Sequence, residues 1–413
     1  MQSVGYTKEA VKGVSWIAVL RLATRALAFI KTVILARILI PPQFGAYGVA
    51  LLAMGFLEVM TETGVNVILI QEKNIDNYVN SAWIVSIIRG IIISLIIILL
   101  TPVIVIFFNS PDSAVLLYFI SIVPFLRGFI NPSIVKFQKE LNFNNEFWYR
   151  FFIFVIDTSV GITVALVTHS PIGIVAGLIA GVIIEVVFSY ILVKPTPVFA
   201  LQRKYLSKII HRGKWVTASG VFNYLFHNAD NIIVGRFLGT TLLGIYQMGY
   251  SFAILPITEI SDVFSRVTFP VYTKIANDKD RLLKAFLKIT LVITILALPV
   301  GLILYIFPGQ IVGLILGEKW LAVVSILPIL GIFGAVRAIS GSTSALFLAV
   351  GKQEYVTVVT LVSIAGLIIP IVPLVLRFGM MGAALSALIG SVVAVPFTAY
   401  YSWKVFNKFD EKS

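Results

Sequence analysis

The chain has 413 residues, of which 59% are hydrophobic and only 12% charged, with a mean hydropathy of +0.99 and a net charge of +13. A soluble domain is nearer half apolar and a quarter charged, so the composition excludes an ordinary soluble globule and indicates a polytopic membrane protein. There is no cysteine, which excludes disulfides and thiolate metal sites.

Apolar stretches of about 20 residues are candidate membrane spans. In chain order they fall near 14–39, 45–70, 80–108, 113–134, 147–168, 171–193, 215–238, 242–272, 286–308, 320–350, 354–376 and 379–403. That is an all-α expectation of about 12 transmembrane helices. With the N-terminus inside, the inner segments collect twenty Lys and Arg. The outer segments collect three, Arg37, Lys319 and Arg377. The positive-inside rule then puts both termini in the cytoplasm of a multi-pass protein of the cell membrane. In a soluble chain the basic balance would raise nucleic acid as a partner. Here the cations sit in short loops on one side, so no nucleic-acid partner is expected, and membrane lipids are.

The chain repeats itself. Trp16 to Tyr47 aligns without a gap on Trp215 to Tyr246: Trp16 on Trp215, Arg37 on Arg236, Gly45 on Gly244, each 199 residues apart. The ends of the halves match too, PIGIVAGLIAG with MMGAALSALIG, pairing Gly173 with Gly382 and Gly181 with Gly390 at an offset of 209. Both halves enter the membrane from the same side, so the repeat is parallel. The expected organisation is an N-lobe at 1–193 and a C-lobe at 215–413, two pseudo-symmetric six-helix lobes around a central cleft. A basic cytoplasmic linker at 194–214 joins them, with LQRKYLSKIIHR a candidate surface helix.

Charges inside apolar helices are costly and mark interior cavities. Arg21 and Arg25 are four apart on one helix face, about 10 and 16 Å from the inner end at 1.5 Å per residue. Glu58 and Glu62 share a face of the returning helix at about 18 and 12 Å, which matches Arg25 with Glu58 and Arg21 with Glu62. Two readings follow. The four residues form structural ion pairs, or the arginines bind a diphosphate through bidentate hydrogen bonds and the carboxylates gate them or couple an ion. In the second half the equivalent helix carries Asn223, His227, Asn228, Asp230 and Asn231, groups that suit sugar hydroxyls or an ion. The next span adds Glu259, Asp262 and Arg266 on one face, read as a mutually neutralised stripe or as gating and ion-coupling acids. Arg89, Arg127, Asp157, Glu185 and Arg337 are further intramembrane charges, each most simply structural. Lys31 and Asp230 occupy the same repeat position, 230 − 31 = 199, and are candidates for an outer gate between the lobes. The alternative is that Lys31 snorkels and Asp230 pairs within its own lobe.

No enzyme constellation emerges. There is no phosphate-cradling glycine loop with its lysine, no acidic metal cluster in an outer loop, and no cofactor site.

Four segments carry a family resemblance. ARILIPPQFGAY at 36–47, ETGVNVILIQ at 62–71, FQKELNF at 137–143 and DNIIVGRFLG at 230–239 resemble polysaccharide (O-antigen, Wzx-type) flippases of the multidrug/oligosaccharidyl-lipid/polysaccharide exporter superfamily. The resemblance implies a V-shaped two-lobe transporter that flips lipid-linked oligosaccharide by alternating access, alongside a polysaccharide polymerase or other assembly proteins. An ion-coupled drug or lipid exporter of the same superfamily is the alternative within transport. A non-transporting scaffold of a polysaccharide-assembly complex is the alternative outside it.

Overall fold

The computed structural model describes residues 23–62, 64–72, 74–200 and 203–410. These residues are helical, with no strand among them. They divide into two compact units, Met1–Asn228 and Ala229–Ser413. Eight of the described helices are long and apolar enough to cross a membrane, or nine if one bent pair counts as a single span.

The first unit begins with α1 (23–38), which stops before the paired prolines of the ARILIPP segment. Pro41 opens α2 (Pro41–Met60), where a fixed φ and a missing N–H cost nothing in the first turn. Two of the expected spans are interrupted. The run 45–70 breaks after Met60, and a separate short helix α3 (Val65–Gln71) follows, with Gly64 at its N-cap. Gly64 there has φ 63°, a left-handed conformation that glycine adopts without strain. After α4 (Asp76–Phe108), the run 113–134 is cut into α5 (Ser113–Ile120), α6 (Ile122–Arg127) and a 3-10 turn at Pro132–Val135. The turn leads into α7 (Lys136–Lys139), and the axis bends by 74° across this break. Asn131 fixes the bend: its Oδ1 accepts from Ser133 N at 2.9 Å, and its Nδ2 donates to the carbonyls of Ser189, Val193 and Pro195. Then come α8 (Phe143–Thr168) and α9 (Ile172–Leu192).

The core of this unit is where α2, α4, α5, α6 and α9 converge, on Ala50, Ile97, Leu117, Ile120, Val123 and Val175 among others. α8 and α9 meet backbone to backbone. A methyl group at Gly173 would lie 2.4 Å from Ala165 N, and one at Gly177 would lie 2.4 Å from the Asp157 carbonyl. Small residues of this kind let membrane helices approach closely enough for dispersion to hold them.

The longest helix, α10 (Arg203–Lys274), contains 72 residues. Straight, it would be about 108 Å long, several times a bilayer's hydrocarbon thickness. Gly239, at φ 83° and ψ 176°, breaks it where the sequence expects a turn between spans at 238–242. The basic stretch from Arg203 is thus helical and runs on into the segment expected as the seventh span. Residues 217–228 belong to the first unit. There Thr217 Oγ1 donates to the Glu62 carbonyl at 2.5 Å and Tyr224 Oη to the Leu52 carbonyl at 2.7 Å.

The second unit continues with α11 (Lys279–Ile306), capped by Asp278 on Arg281 N, and α12 (Pro308–Ile315). A 3-10 segment at Glu318–Ser325 precedes α13 (Leu327–Ala349), so the expected span 320–350 starts later than its hydropathy suggests. Trp320, fully buried, anchors that segment. The unit ends with α14 (Gln353–Phe378) and α15 (Met380–Asp410). Its last two helices are sealed like α8 and α9: a methyl at Gly382 would lie 2.0 Å from the Leu374 carbonyl, and one at Gly390 would lie 2.6 Å from that of Ser363.

Candidate functional site

The broken helices of the first unit leave a cavity of about 340 Å³ among them. Its polar wall is built from Glu58 of α2, Arg89 of α4, Arg127 of α6, Glu146 and Arg150 of α8, and Glu185 of α9. Each guanidinium holds a carboxylate. Arg127 Nη1 lies 2.7 Å from Glu58 Oε1, Arg89 Nη2 lies 3.2 Å from Glu62 Oε2, and Arg150 Nε lies 2.9 Å from Glu146 Oε1. Arg89 does more. It also donates to Thr61 Oγ1 and to the Glu58 carbonyl, one of the carbonyls freed where α2 ends. Glu62 in turn accepts from Gly64 N at 3.0 Å, and Gln138 Nε2 donates to Glu146 at 2.7 Å. The charged groups thus both line the cavity and hold the interrupted helix ends.

Glu58 and Glu62, matched by depth to Arg25 and Arg21, carry ion pairs to Arg127 of α6 and Arg89 of α4 among the described residues. Counting along a helix gives depth but not which neighbour faces it. Arg21 lies outside the described residues. Arg25 is exposed on α1. Six residues farther on, Lys31 is buried, and its Nζ donates to both oxygens of Asp157, at 2.7 and 2.8 Å.

On α10, Asn223 and His227 are exposed, with His227 Nδ1 2.9 Å from the Asn223 carbonyl, and Asn228 Nδ2 donates to the Tyr224 carbonyl at 2.9 Å. These last two bonds run to the carbonyl one turn back, so they tie polar groups to their own helix. In the second unit Asp230 is buried and accepts from Tyr246 Oη at 2.8 Å, from Asn231 N at 2.8 Å and from Asn231 Nδ2 at 3.0 Å. Lys31 and Asp230 therefore each have a polar partner within their own unit. Glu259 is half-buried, and the side chains of Asp262 and Arg266 lie outside the described residues. Arg337 Nη1 donates to Tyr250 Oη at 3.1 Å.

Two cavity residues escaped the sequence reading, Glu146 and Arg150. They sit at i and i+4 in the first turns of α8, Glu146 just before the apolar run 147–168 that defines the fifth span and Arg150 just inside it. The signal that could have found them is that ion-pair spacing at the mouth of a membrane helix.

The chain is 25% identical over 359 residues to the lipopolysaccharide biosynthesis protein WzxC of Escherichia coli (strain K12), covering 84% of this chain and 71% of that protein. It is 27% identical over 411 residues to an uncharacterized membrane protein in the cps region of Klebsiella pneumoniae, covering 96% of this chain and 82% of that one. Among solved structures it resembles the lipid II flippase MurJ in an inward closed conformation, with a TM-score of 0.73 and 17% identity over 95% of this chain and 89% of that chain. The fold is thus that of a multi-pass, all-helical membrane transporter. Residues 34–325, which include all four segments singled out by resemblance, match the family described as polysaccharide biosynthesis protein, and the chain belongs to that family.

Proposed function

We propose that the protein is a flippase that carries polyprenyl-diphosphate-linked oligosaccharide from the inner to the outer leaflet of the cell membrane, for assembly of a cell-surface polysaccharide. The family, the named biosynthetic relative and the shared fold with a lipid flippase support this reading. The single observation that carries it is Arg25, a guanidinium exposed on an apolar helix. A cation in such a place is costly against lipid and is accommodated beside water. Its planar fork suits a diphosphate better than an ammonium would.

In this reading Arg21 and Arg25 take the diphosphate, and Asn223, His227 and Asn228 meet sugar hydroxyls. The two sequence halves alternate access between the leaflets, with Lys31, Glu58, Glu62, Asp230, Glu259 and Asp262 gating or coupling the movement. Both termini are cytoplasmic, by the balance of Lys and Arg. No bond is made or broken by the chain itself, and the polymerase or assembly proteins that use the product act after it. The test is a strain lacking the protein. Lipid-linked saccharide should accumulate in the inner leaflet, inaccessible to an outside lectin, and wild-type chain should restore access. Normal surface polysaccharide without the protein overturns the reading.

A further inference from the structure

The ion pairs of the first unit's cavity leave one carboxylate over. Arg89 serves Glu62, Arg127 serves Glu58 and Arg150 serves Glu146. Glu185 of α9 lines the same cavity. Its backbone carbonyl accepts from Tyr149 Oη at 3.3 Å, but among the described residues no hydrogen bond or ion pair reaches its carboxylate.

The groups that face it are Glu58 from α2, Arg89 from α4, Arg127 from α6, and Glu146, Tyr149 and Arg150 from α8. Every arginine in that set is already bonded to another acid. An ionised carboxylate between membrane helices without a donor of its own is unfavourable, and one added positive charge removes the imbalance. A metal ion would need several oxygen ligands at short range. Among the described residues no group of three or more His, Asp or Glu side chains could supply them. The donor set fits a proton.

We propose that Glu185 is a proton-binding site, and that the transport cycle runs with one proton taken from water onto its carboxylate and returned to water. The role in the cycle rests on the flippase reading; the binding does not. With the proton on, three ion pairs and a neutral acid fill the wall. With it off, Glu185 competes with Glu58 for Arg127 and with Glu146 for Arg150, so α6 and α8 are drawn toward α9. Proton binding thus biases two helix contacts, which is what coupling requires.

The test uses the full chain purified in detergent and infrared difference spectra between neutral and alkaline pH. A carboxylic acid C=O band present at neutral pH should be lost in Glu185→Gln and displaced in Glu185→Asp. Identical wild-type and Glu185→Gln spectra overturn the site. A band that responds to sodium at constant pH overturns the proton in favour of a metal cation. In cells, Glu185→Gln should lose export at an unchanged protein level; export equal to wild type overturns the coupling role. If the band behaves as expected but wild-type chain fails to restore surface polysaccharide, the flippase reading falls and the proton site stands.

Discussion

Lys31 and Asp157 form a buried ion pair across 126 residues, with the ammonium on both carboxylate oxygens and each side chain only 11% exposed. The space around it is made by glycines. A methyl at Gly177 would sit 2.7 Å from Asp157 Oδ1, and one at Gly161 would sit 3.5 Å from Lys31 Cε. The pair therefore ties α1 to the α8–α9 seam.

Removing one partner strands the other charge. Lys31→Met alone, or Asp157→Asn alone, should destabilise the first unit by about 3 kcal/mol, while the double variant should recover much of that loss. Thermal unfolding of the purified protein in detergent measures it. A double variant as unstable as the sum of the singles would show that the two charges do not depend on each other.

Arg25→Ala should abolish surface polysaccharide with normal protein in the membrane, because the side chain is exposed and its loss opens no cavity. Arg25→Lys should restore only part of the activity, since a point charge lacks the bidentate fork. Surface polysaccharide assay beside an immunoblot checks both; full activity of the alanine variant removes Arg25 from the substrate path.

Gly177→Ala would place a methyl 2.4 Å from the Asp157 carbonyl and should lower stability by roughly 1–3 kcal/mol through helix separation. Gly309→Ala, at a helical position with nothing within 4 Å, is the matched control and should leave the unfolding temperature unchanged or slightly raised. Equal effects at the two positions would deny the seam its role.

Tyr246→Phe keeps the ring and removes one donor from buried Asp230. The expected cost is about 1–3 kcal/mol, the penalty for a buried acceptor left short of a partner. Tyr246→Phe combined with Asp230→Asn should be milder than Tyr246→Phe alone, because the amide carries no charge. Unfolding midpoints of the two variants decide between these outcomes.

Much of the fold is legible in the residues, and the reasons for the failures are specific. Apolar runs located the membrane helices, and Gly239 falls where a turn was expected. Hydropathy misses the breaks after Met60 and at 128–131 because a window as long as a membrane span averages those few residues with the apolar runs on either side. What breaks those helices is the conformation of Gly64 and the side-chain bonds of Asn131, which no window average senses. The site was half legible. Glu58, Glu62, Lys31, Arg89, Arg127, Asp157 and Glu185 all stand out as charges inside apolar runs. Their pairing does not, since Glu58 meets Arg127 only after α2, α4 and α6 have packed. The glycine correspondence carried further: Gly173 closes on Ala165 and Gly382 on Leu374, each eight residues back along its hairpin.

Those two hairpins bear on how the protein meets membranes of different thickness. A helix usually answers a thicker or thinner bilayer by changing its own tilt. α8 with α9, and α14 with α15, are not free to do so singly, because sliding either helix by one residue would drive a side chain into the opposite backbone at Gly177 or Gly382. Each hairpin must tilt as one body. Adjustment to the surrounding lipid then falls to the helices already interrupted, at Gly64 and around Asn131, which are the same helices that enclose the charged cavity.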